Sequence, residues 1–378
     1  MRSSVTNIGR TRSSFSRNRL TKTVSLLALP ALVSGLAGDS PTPKALAPAP
    51  SVIVNRAKPC PPISWAPSTP ALPTTRQELL AYERTLIRPK LNGLPTALPD
   101  LVNFLRLAES KGQLTWLSHD QQAADLIQRE VEAVNAGEDL HLLFGIFHLI
   151  NGQVGFINKL LDRLVGVTHL VQEYKGLGDG GFDLQSHFDH YLVTGDPRYQ
   201  LQMTDTGVKG DEIDQQELAD MNSALELGKS QCLNVVFADL SLQEQQTIEE
   251  ELIFRSREIF AVKRVEQRLS PGGGNIAVWV YGASHAEKEG LPTDLQAAFP
   301  GSKAISIIMN GGTYIPTLLF DQALNELGWL EKPFILKLVA YREGNYIIHL
   351  PIKGQSTKEK IEGVGLPLLD RKRQLIQQ

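Results

Sequence analysis

Three side chains that could bind a metal ion lie at the ends of three separate strand-like runs in this chain. His148 follows the apolar run LHLLFGIF, Glu173 lies near the end of VTHLVQEYK, and His285 follows NIAVWVYG. Two imidazoles and one carboxylate are a common ligand set for a divalent ion that keeps an open position for water. The three residues therefore predict a metal site (His148, Glu173, His285) with hydrolytic chemistry.

Both histidines share a local pattern in which a strand breaks at a glycine and the histidine follows three residues later. The glycines are Gly145 and Gly282. A third Gly-x-x-His pair, Gly166 and His169, opens a strand instead of ending one, so the spacing alone has little specificity. The prediction of a metal site therefore rests on the position of His148 and His285 at strand ends.

Each candidate also has a structural interpretation. His148 could cap a helix or be a buried histidine bonded to the backbone, and His285 stands where a new helix must be capped. Glu173 could pair with Lys175 or Arg257 at the rim of the sheet, and Arg257 could belong to a helical ion pair. The residues alone leave these alternatives open.

The elements that must position these residues alternate between strand and helix. Short apolar runs typical of strands buried on both faces are separated by segments long enough for crossover helices, which favours parallel pairing. The predicted fold class is α/β, a mostly parallel sheet flanked by helices, with N-terminal helices and a C-terminal β-hairpin at 334–352. The predicted parallel strands cover 140–147, 167–175, 232–240, 275–282 and 303–312.

The chain divides by composition into five segments. The first is basic, lacks acidic residues and runs into a short apolar stretch, as in a secretory signal peptide, and the second is rich in proline. We therefore expect an exported protein, periplasmic or extracellular, that associates with a membrane or cell envelope through its N-terminus. The predicted segments are a signal peptide (1–38), a Pro-rich linker (39–75), a helical segment (76–137), an α/β domain (138–355) and a polar tail (356–378).

Charge and cysteine content narrow the possible partners. The net charge is −3 and the folded part has no basic block, so nucleic acid is not an expected partner. Cys60 and Cys232 match no zinc or redox spacing, and a disulfide between them is possible in an exported protein. The expected partner is a small-molecule or peptide substrate, or haem.

Several segments resemble the superfamily that unites the TraB and Tiki proteins, the erythromycin-esterase-like hydrolases and the ChaN-like haem-uptake proteins. The resemblance spans about 138–312 and rests on GIFH ending at His148, on Glu173, on FRSREIFAVKRV and on YGASHAEKEGLPTDL. It implies that Arg257 faces the site from its helix. One position departs from the pattern, because the esterase-like and ChaN-like branches carry a Glu where this chain has Ile146.

Three function classes follow from these observations. The first is an exported metal-dependent hydrolase of peptide or ester bonds, in which Glu173 and Arg257 are catalytic and Arg257 stabilises an oxyanion or holds a substrate carboxylate. The second is a haem-binding or haem-trafficking protein that uses the same cleft, with Tyr174 and Tyr281 as candidate ligands because tyrosine and histidine both ligate haem iron. The third is a non-catalytic interaction domain. The sequence favours the hydrolase and leaves enzymatic activity uncertain.

Overall fold

The structure is a computed structural model of the 378-residue chain. It describes residues 60–61, 72–146, 152–177, 182–202, 215–269, 272–310 and 314–351. The chain divides into two compact units, 1–54 and 55–378, and the described residues all belong to the second. Among the described helices, none has the length and apolar character needed to cross a membrane. The predicted signal peptide, most of the linker, His148 and the tail lie outside the described residues.

Eight strands of the described chain form one sheet in the order β1-β7-β8-β6-β2-β5-β3-β4. Neighbours from β8 to β4 pair in parallel, whereas β7 pairs antiparallel with both β1 and β8. The predicted α/β class and the C-terminal hairpin are therefore confirmed. The strands are β1 (Leu114–Trp116), β2 (Leu140–Ile146), β3 (His169–Lys175), β4 (Asn234–Asp239), β5 (Ile276–Gly282), β6 (Lys303–Met309), β7 (Phe334–Tyr341) and β8 (Gly344–His349).

Helices cover both faces of this sheet. The first begins with a capping box, in which Thr75 Oγ1 accepts the Glu78 N–H and the Glu78 carboxylate accepts the Thr75 N–H. The described helices are α1 (Arg76–Glu83), α2 (Leu98–Ser110), α3 (Asp120–Glu132), α4 (Gln153–Leu161), α5 (Leu184–Thr194), α6 (Gln215–Ser230), α7 (Leu242–Gln245), α8 (Ile253–Glu266), α9 (Ala283–Ala286), α10 (Leu291–Ala298) and α11 (Tyr314–Leu327).

The central strands are buried on both faces, and their side chains alternate between two cores. On β2, Leu142 and Phe144 belong to one apolar cluster, while Leu143 between them belongs to the other. Every residue of β2 is buried. This explains the near-continuous apolar run in the sequence, because a parallel strand covered by helices on both sides needs apolar residues at successive positions.

The helices that follow neighbouring strands leave the sheet on opposite faces. After β2, α4 packs through Phe156 and Ile157 into the first cluster, whereas α10, which follows β5 and α9, packs through Leu291 and Leu295 into the second. β2 and β5 are adjacent, so the connections diverge at their carboxyl ends. Such a point is where open α/β sheets form a ligand crevice.

Two of the predicted elements are wrong in detail. The segment 76–137, predicted as helical, contains β1, a three-residue strand that gains its partner only from β7. Between α7 and α8 the chain leaves the α-helical conformation, and Ile248 and Leu252 turn inward there to pack with Phe260 of α8. The strand predicted over 303–312 ends at Met309, where Asn310 adopts a left-handed backbone conformation with φ 49°.

Candidate functional site

The carboxylate of Glu173 lies where β3 loses its regular register with β4. The ladder pairs Gln172 with Phe237 and then Lys175 with Asp239, so the strand bulges at Glu173. Bulges near strand ends re-aim side chains. The Glu173 carboxylate then accepts the backbone N–H of Gly282, at the end of β5, through Oε2 at 2.5 Å. This bond joins the carboxyl ends of two neighbouring strands.

Arg257 of α8 lies between two strand-end carboxylates. Its Nε donates to Oδ1 of Asp239 at 2.7 Å, and its Nη2 donates to Oδ2 of Asp239 at 2.9 Å and to Oε1 of Glu173. The side chains of Glu173 and Asp239 are only 8 % and 9 % exposed, so the guanidinium compensates two buried charges. Within the described part of the chain, Nη1 of Arg257 makes no hydrogen bond, which leaves donors for another group.

His285 is held from behind by a second carboxylate. Its Nδ1 lies 3.1 Å from Oε1 of Glu258 on α8, and since an ionised carboxylate can only accept, the proton belongs on Nδ1. The opposite ring nitrogen, Nε2, lies 3.8 Å from Oε1 of Glu173, beyond hydrogen-bond distance. The ring of Phe254 stacks on the imidazole with centroids 4.1 Å apart. The imidazole is therefore fixed in orientation and in tautomer.

Arg255 extends this support to the N-terminal helix. Its Nη1 donates to Oε2 of Glu258 at 2.6 Å, and its Nε donates to Oε1 of Glu83 on α1 at 2.6 Å. Both Nη groups also donate to the carboxylate of Asp294 at the start of α10. The hydroxyl of Tyr82 also donates to Asp294, at 3.1 Å. Three helices thus brace the carboxylate that positions His285.

Gly145 shows why the first strand motif needs glycine. A Cβ at position 145 would lie 2.7 Å from Cδ1 of Ile308, 2.9 Å from Cβ of Ala286 and 3.0 Å from Cα of Ala283. The last two residues belong to α9, the short helix that carries His285. The absence of a side chain on β2 therefore lets α9 pack directly on the strand.

Burial and neighbouring charges shift the pKa values of Asp239 and Arg257 in opposite directions. Burial raises the pKa of Asp239 above its usual value although Arg257 acts in the opposite direction. Burial acts to lower the pKa of Arg257, but Asp239 and Glu173 more than offset this and the pKa is raised. Arg257 therefore remains a cation and holds the two carboxylates together.

The two candidate tyrosine ligands lie inside the apolar cores. Tyr281 is 1 % exposed and its hydroxyl donates to the carbonyl of Ala238 at 2.7 Å. Tyr174 is 6 % exposed and packs with its ring 5.9 Å from that of Phe237. A role for either residue in haem ligation stays a prediction, and for Tyr281 it would require breaking the bond to Ala238.

The structure brings Glu173, Arg257 and His285 together, whereas His148 lies two residues beyond the described end of β2. The strands that precede these residues are neighbours in the order β2-β5-β3. Within the described ranges, no group of three His, Cys, Asp or Glu side chains has the spacing to hold a metal ion. The proposed metal set therefore stays a prediction.

The sequence patterns did not single out Arg255, Glu258 or Asp294 as site residues. Asp239, at the end of β4, binds Arg257, while α7 is capped by Ser241 with Glu244. Glu258 pairs with Arg255 and His285. The acidic and basic residues spaced three apart in FRSREIF were the available signal.

Comparison with known proteins gives two weak structural likenesses. No known family matches the chain, and no curated protein matches it. The type III effector HopBA1 is 14% identical with a TM-score of 0.35, covering 59% of this chain and 92% of that one. ChaN of Campylobacter jejuni, whose structure shows cofacial haem binding, is 12% identical with a TM-score of 0.34, covering 61% of this chain and 91% of that one.

Proposed function

We propose that this chain is a metal-dependent hydrolase of peptide or ester bonds whose site lies at the carboxyl ends of β2, β5 and β3. The observation that carries the proposal is the 3.8 Å gap between Nε2 of His285 and Oε1 of Glu173. Both groups are fixed from behind, by Glu258 and by Arg257, and both direct an acceptor atom into the same gap.

The gap fits two ligands of one ion. With metal–ligand distances of about 2.0 to 2.2 Å and tetrahedral angles, two ligand atoms of one ion lie roughly 3.4 Å apart. The observed distance of 3.8 Å between Nε2 of His285 and Oε1 of Glu173 is longer by only a few tenths of an ångström. Arg257 and Gly282 each donate a hydrogen bond to the Glu173 carboxylate and hold it at this position. A carboxylate behind a metal-binding histidine, as Glu258 is here, is a common supporting arrangement.

We assign the third ligand to His148, on its sequence position after β2. A divalent ion held by these side chains would supply the Lewis acidity that activates water at neutral pH. Glu173 and His285 would orient that ion, and Arg257, through its unused Nη1, would bind the oxygen that gains negative charge on a substrate carbonyl. Phe254, which is 47 % exposed beside His285, would provide an apolar surface for the substrate.

Haem binding is the second candidate. The half-exposed ring of Phe254, stacked on His285, is the feature that favours it, because an aromatic face beside an imidazole suits a planar porphyrin. In this case the buried ion pairs of Arg257 would serve stability and the cleft would bind a ligand without catalysis.

The test combines metal content, hydrolysis and hemin titration on the purified chain. We expect retained divalent metal and chelator-sensitive cleavage of a panel of esters and peptides, both lost in Glu173→Gln and in His285→Asn. His119→Asn, which changes an exposed histidine at the start of α3, is the matched control and should retain both. A stoichiometric Soret band without retained metal would replace the hydrolase with the haem-binding candidate, and absence of both would reject both.

We also propose that the chain is exported. A disulfide joins Cys60 to Cys232, and Cys60 is buried where its N–H donates to the carbonyl of Leu192 at 3.3 Å. Disulfides of this kind persist in oxidising compartments. Mass spectrometry of the protein from its native cell should find the N-terminal basic and apolar segment removed, and an intact Met1 on cytoplasmic protein would contradict export.

A further inference from the structure

A cavity of about 270 Å³ lies beside the C-terminal hairpin, lined by residues that take no part in the candidate site. Its walls come from β6, β7, β8, α3 and Lys288. The charged and apolar residues that matter here are Glu130, Lys288, Lys303, Lys337, Val339 and Tyr346, and we call this space the lysine cavity.

The lysine cavity carries an excess of positive charge. Its one carboxylate, Glu130, accepts from Lys303 at 2.7 Å and from the hydroxyl of Tyr346, and lies 3.9 Å from the ammonium of Lys337. The Glu130 carboxylate is therefore already paired with residues of the cavity wall. Three lysines face one carboxylate, so the lining carries a net positive charge.

Lys288 is the lysine that the protein leaves without a counter-ion. Across the described ranges, its ammonium makes no hydrogen bond and no ion pair, although the side chain is partly buried. Burial lowers its pKa, and no carboxylate opposes that effect. A partly buried cation with no partner is costly to the folded protein, and an anion in the cavity would remove that cost.

The backbone of β7 departs from regular pairing where it forms the cavity wall. The ladder with β8 passes from Lys337, opposite Tyr346, to Tyr341, opposite Gly344. Three residues on β7 therefore stand opposite the single residue Asn345. Within that bulge, Ala340 has a left-handed φ of 59°. Val339 is 64 % exposed, so the wall presents an apolar side chain next to the lysines.

We propose that the lysine cavity binds a small organic carboxylate, with Lys288 as the main counter-ion and the apolar wall contacting the body of the ligand. The cavity is slightly smaller than typical sites for drug-sized ligands, so the ligand is small. One free ammonium with apolar neighbours matches a monoanion with a short hydrocarbon part better than a phosphate dianion, which needs more donors. This site is independent of the proposed hydrolase.

The test is calorimetric or NMR titration of the full chain with hexanoate at low salt, beside hexanol as the uncharged analogue and inorganic phosphate as the anion without an apolar part. We expect saturable hexanoate binding that weakens at higher ionic strength, with hexanol and phosphate binding less tightly. Lys288→Met should weaken hexanoate binding by about tenfold or more, whereas Lys288→Arg should retain it.

Two controls keep the outcome decisive. Lys111→Met removes an exposed lysine at the end of α2 and should leave hexanoate binding unchanged. Lys288→Met should unfold at the same temperature as the wild type or higher, because it removes an uncompensated charge, and Lys337→Met gives a second variant with weaker binding. Equal binding of hexanol, tighter binding of phosphate, or hexanoate binding unaffected by Lys288→Met would overturn the proposal.

Discussion

Nδ1 of His285 lies 3.1 Å from Oε1 of Glu258, and each of the two side chains is only 3 % exposed. Glu258 comes from the middle of α8, while His285 follows the end of β5, so this contact fixes the helix against the sheet edge. The same carboxylate binds Arg255 through its other oxygen. Through Arg255, Glu258 therefore connects helix α1 to the candidate site.

Replacing Glu258 by Gln should weaken both the fold and the site. The amide keeps the shape but removes the charge that faces Arg255 and His285, so we expect the free energy of unfolding to fall by about 1 to 3 kcal/mol. Metal retention should fall by roughly 10- to 100-fold, as for other residues that support a metal-binding histidine. Denaturant unfolding and metal analysis measure the two effects. Glu326→Gln, on the exposed side of α11, is the control, and equal stability of the two variants would contradict this role.

Replacing Arg257 by Met should be more destabilising at neutral pH than in mild acid. The change leaves Glu173 and Asp239 buried without their cation, at a cost of about 3 to 5 kcal/mol. Because burial already raises the pKa of Asp239, loss of the guanidinium raises it further, and protonation on acidification removes part of the unpaired charge. Urea unfolding at two pH values checks this, with Arg198→Met as an exposed control. If Arg257→Met loses more unfolding free energy in mild acid than at neutral pH, the unpaired carboxylates are not the cause of its instability.

Replacing Gly145 by Ala tests the close packing of β2 on α9. The new methyl group would meet Ile308, Ala283 and Ala286 within about 3 Å, so overpacking should cost about 1 to 3 kcal/mol and displace the helix that carries His285. The unfolding temperature and the proposed hydrolytic activity should fall together. Gly93→Ala, whose methyl group would have ordinary contacts of 3.5 Å and more with Arg342, should leave both unchanged. Full activity in Gly145→Ala would show that the site tolerates a shift of α9.

Glu287 should make stability depend on pH. Burial raises its pKa from 4.5 to about 7, and Glu343 and Glu289 reinforce the effect while Arg342 opposes it. The folded protein therefore holds this proton more tightly than the unfolded chain, and the stability that Glu287 contributes below its unfolded pKa is lost as the pH rises through 7.

Glu287→Gln should accordingly raise the unfolding temperature at about pH 8 and have little effect near about pH 4. Glu289→Gln, an exposed neighbour, is the matched control. Thermal melts across this pH range measure the difference, and a stabilisation that is the same at both ends would exclude the ionisation of Glu287 as its cause.

Reduction of the disulfide should destabilise the protein. The bond closes a loop with a sequence separation of 172 residues between Cys60 and Cys232. The loss of chain entropy in the unfolded state predicts at most about 5 kcal/mol of stabilisation for a loop of this length. Reductant should lower the unfolding temperature of the wild type and leave that of the double variant Cys60→Ser with Cys232→Ser unchanged. Identical melts of the wild type with and without reductant would contradict the prediction.

The sequence by itself determined the class of fold and the edge at which the site lies. Apolar runs such as 140–147 predict strands buried on both faces, because the two-residue period of a strand places successive side chains on opposite sides. The Gly-x-x-His motif after β5 and the carboxylate near the end of β3 then fall at the same edge by the geometry of parallel pairing. The order β2-β5-β3 agrees with this expectation.

Only the tertiary structure decided which groups are partners. Arg255 and Arg257 are two positions apart on α8 and so point about 200° apart around the helix, one toward Glu258 and Asp294 and the other toward Glu173 and Asp239. Helical spacing shows that they diverge, but not which strand end or helix each one meets. That depends on the sheet order and on the face to which α8 packs, and both are set by long-range burial of apolar surface. The short strand β1 depends in the same way on β7, because three residues have no periodicity to predict them.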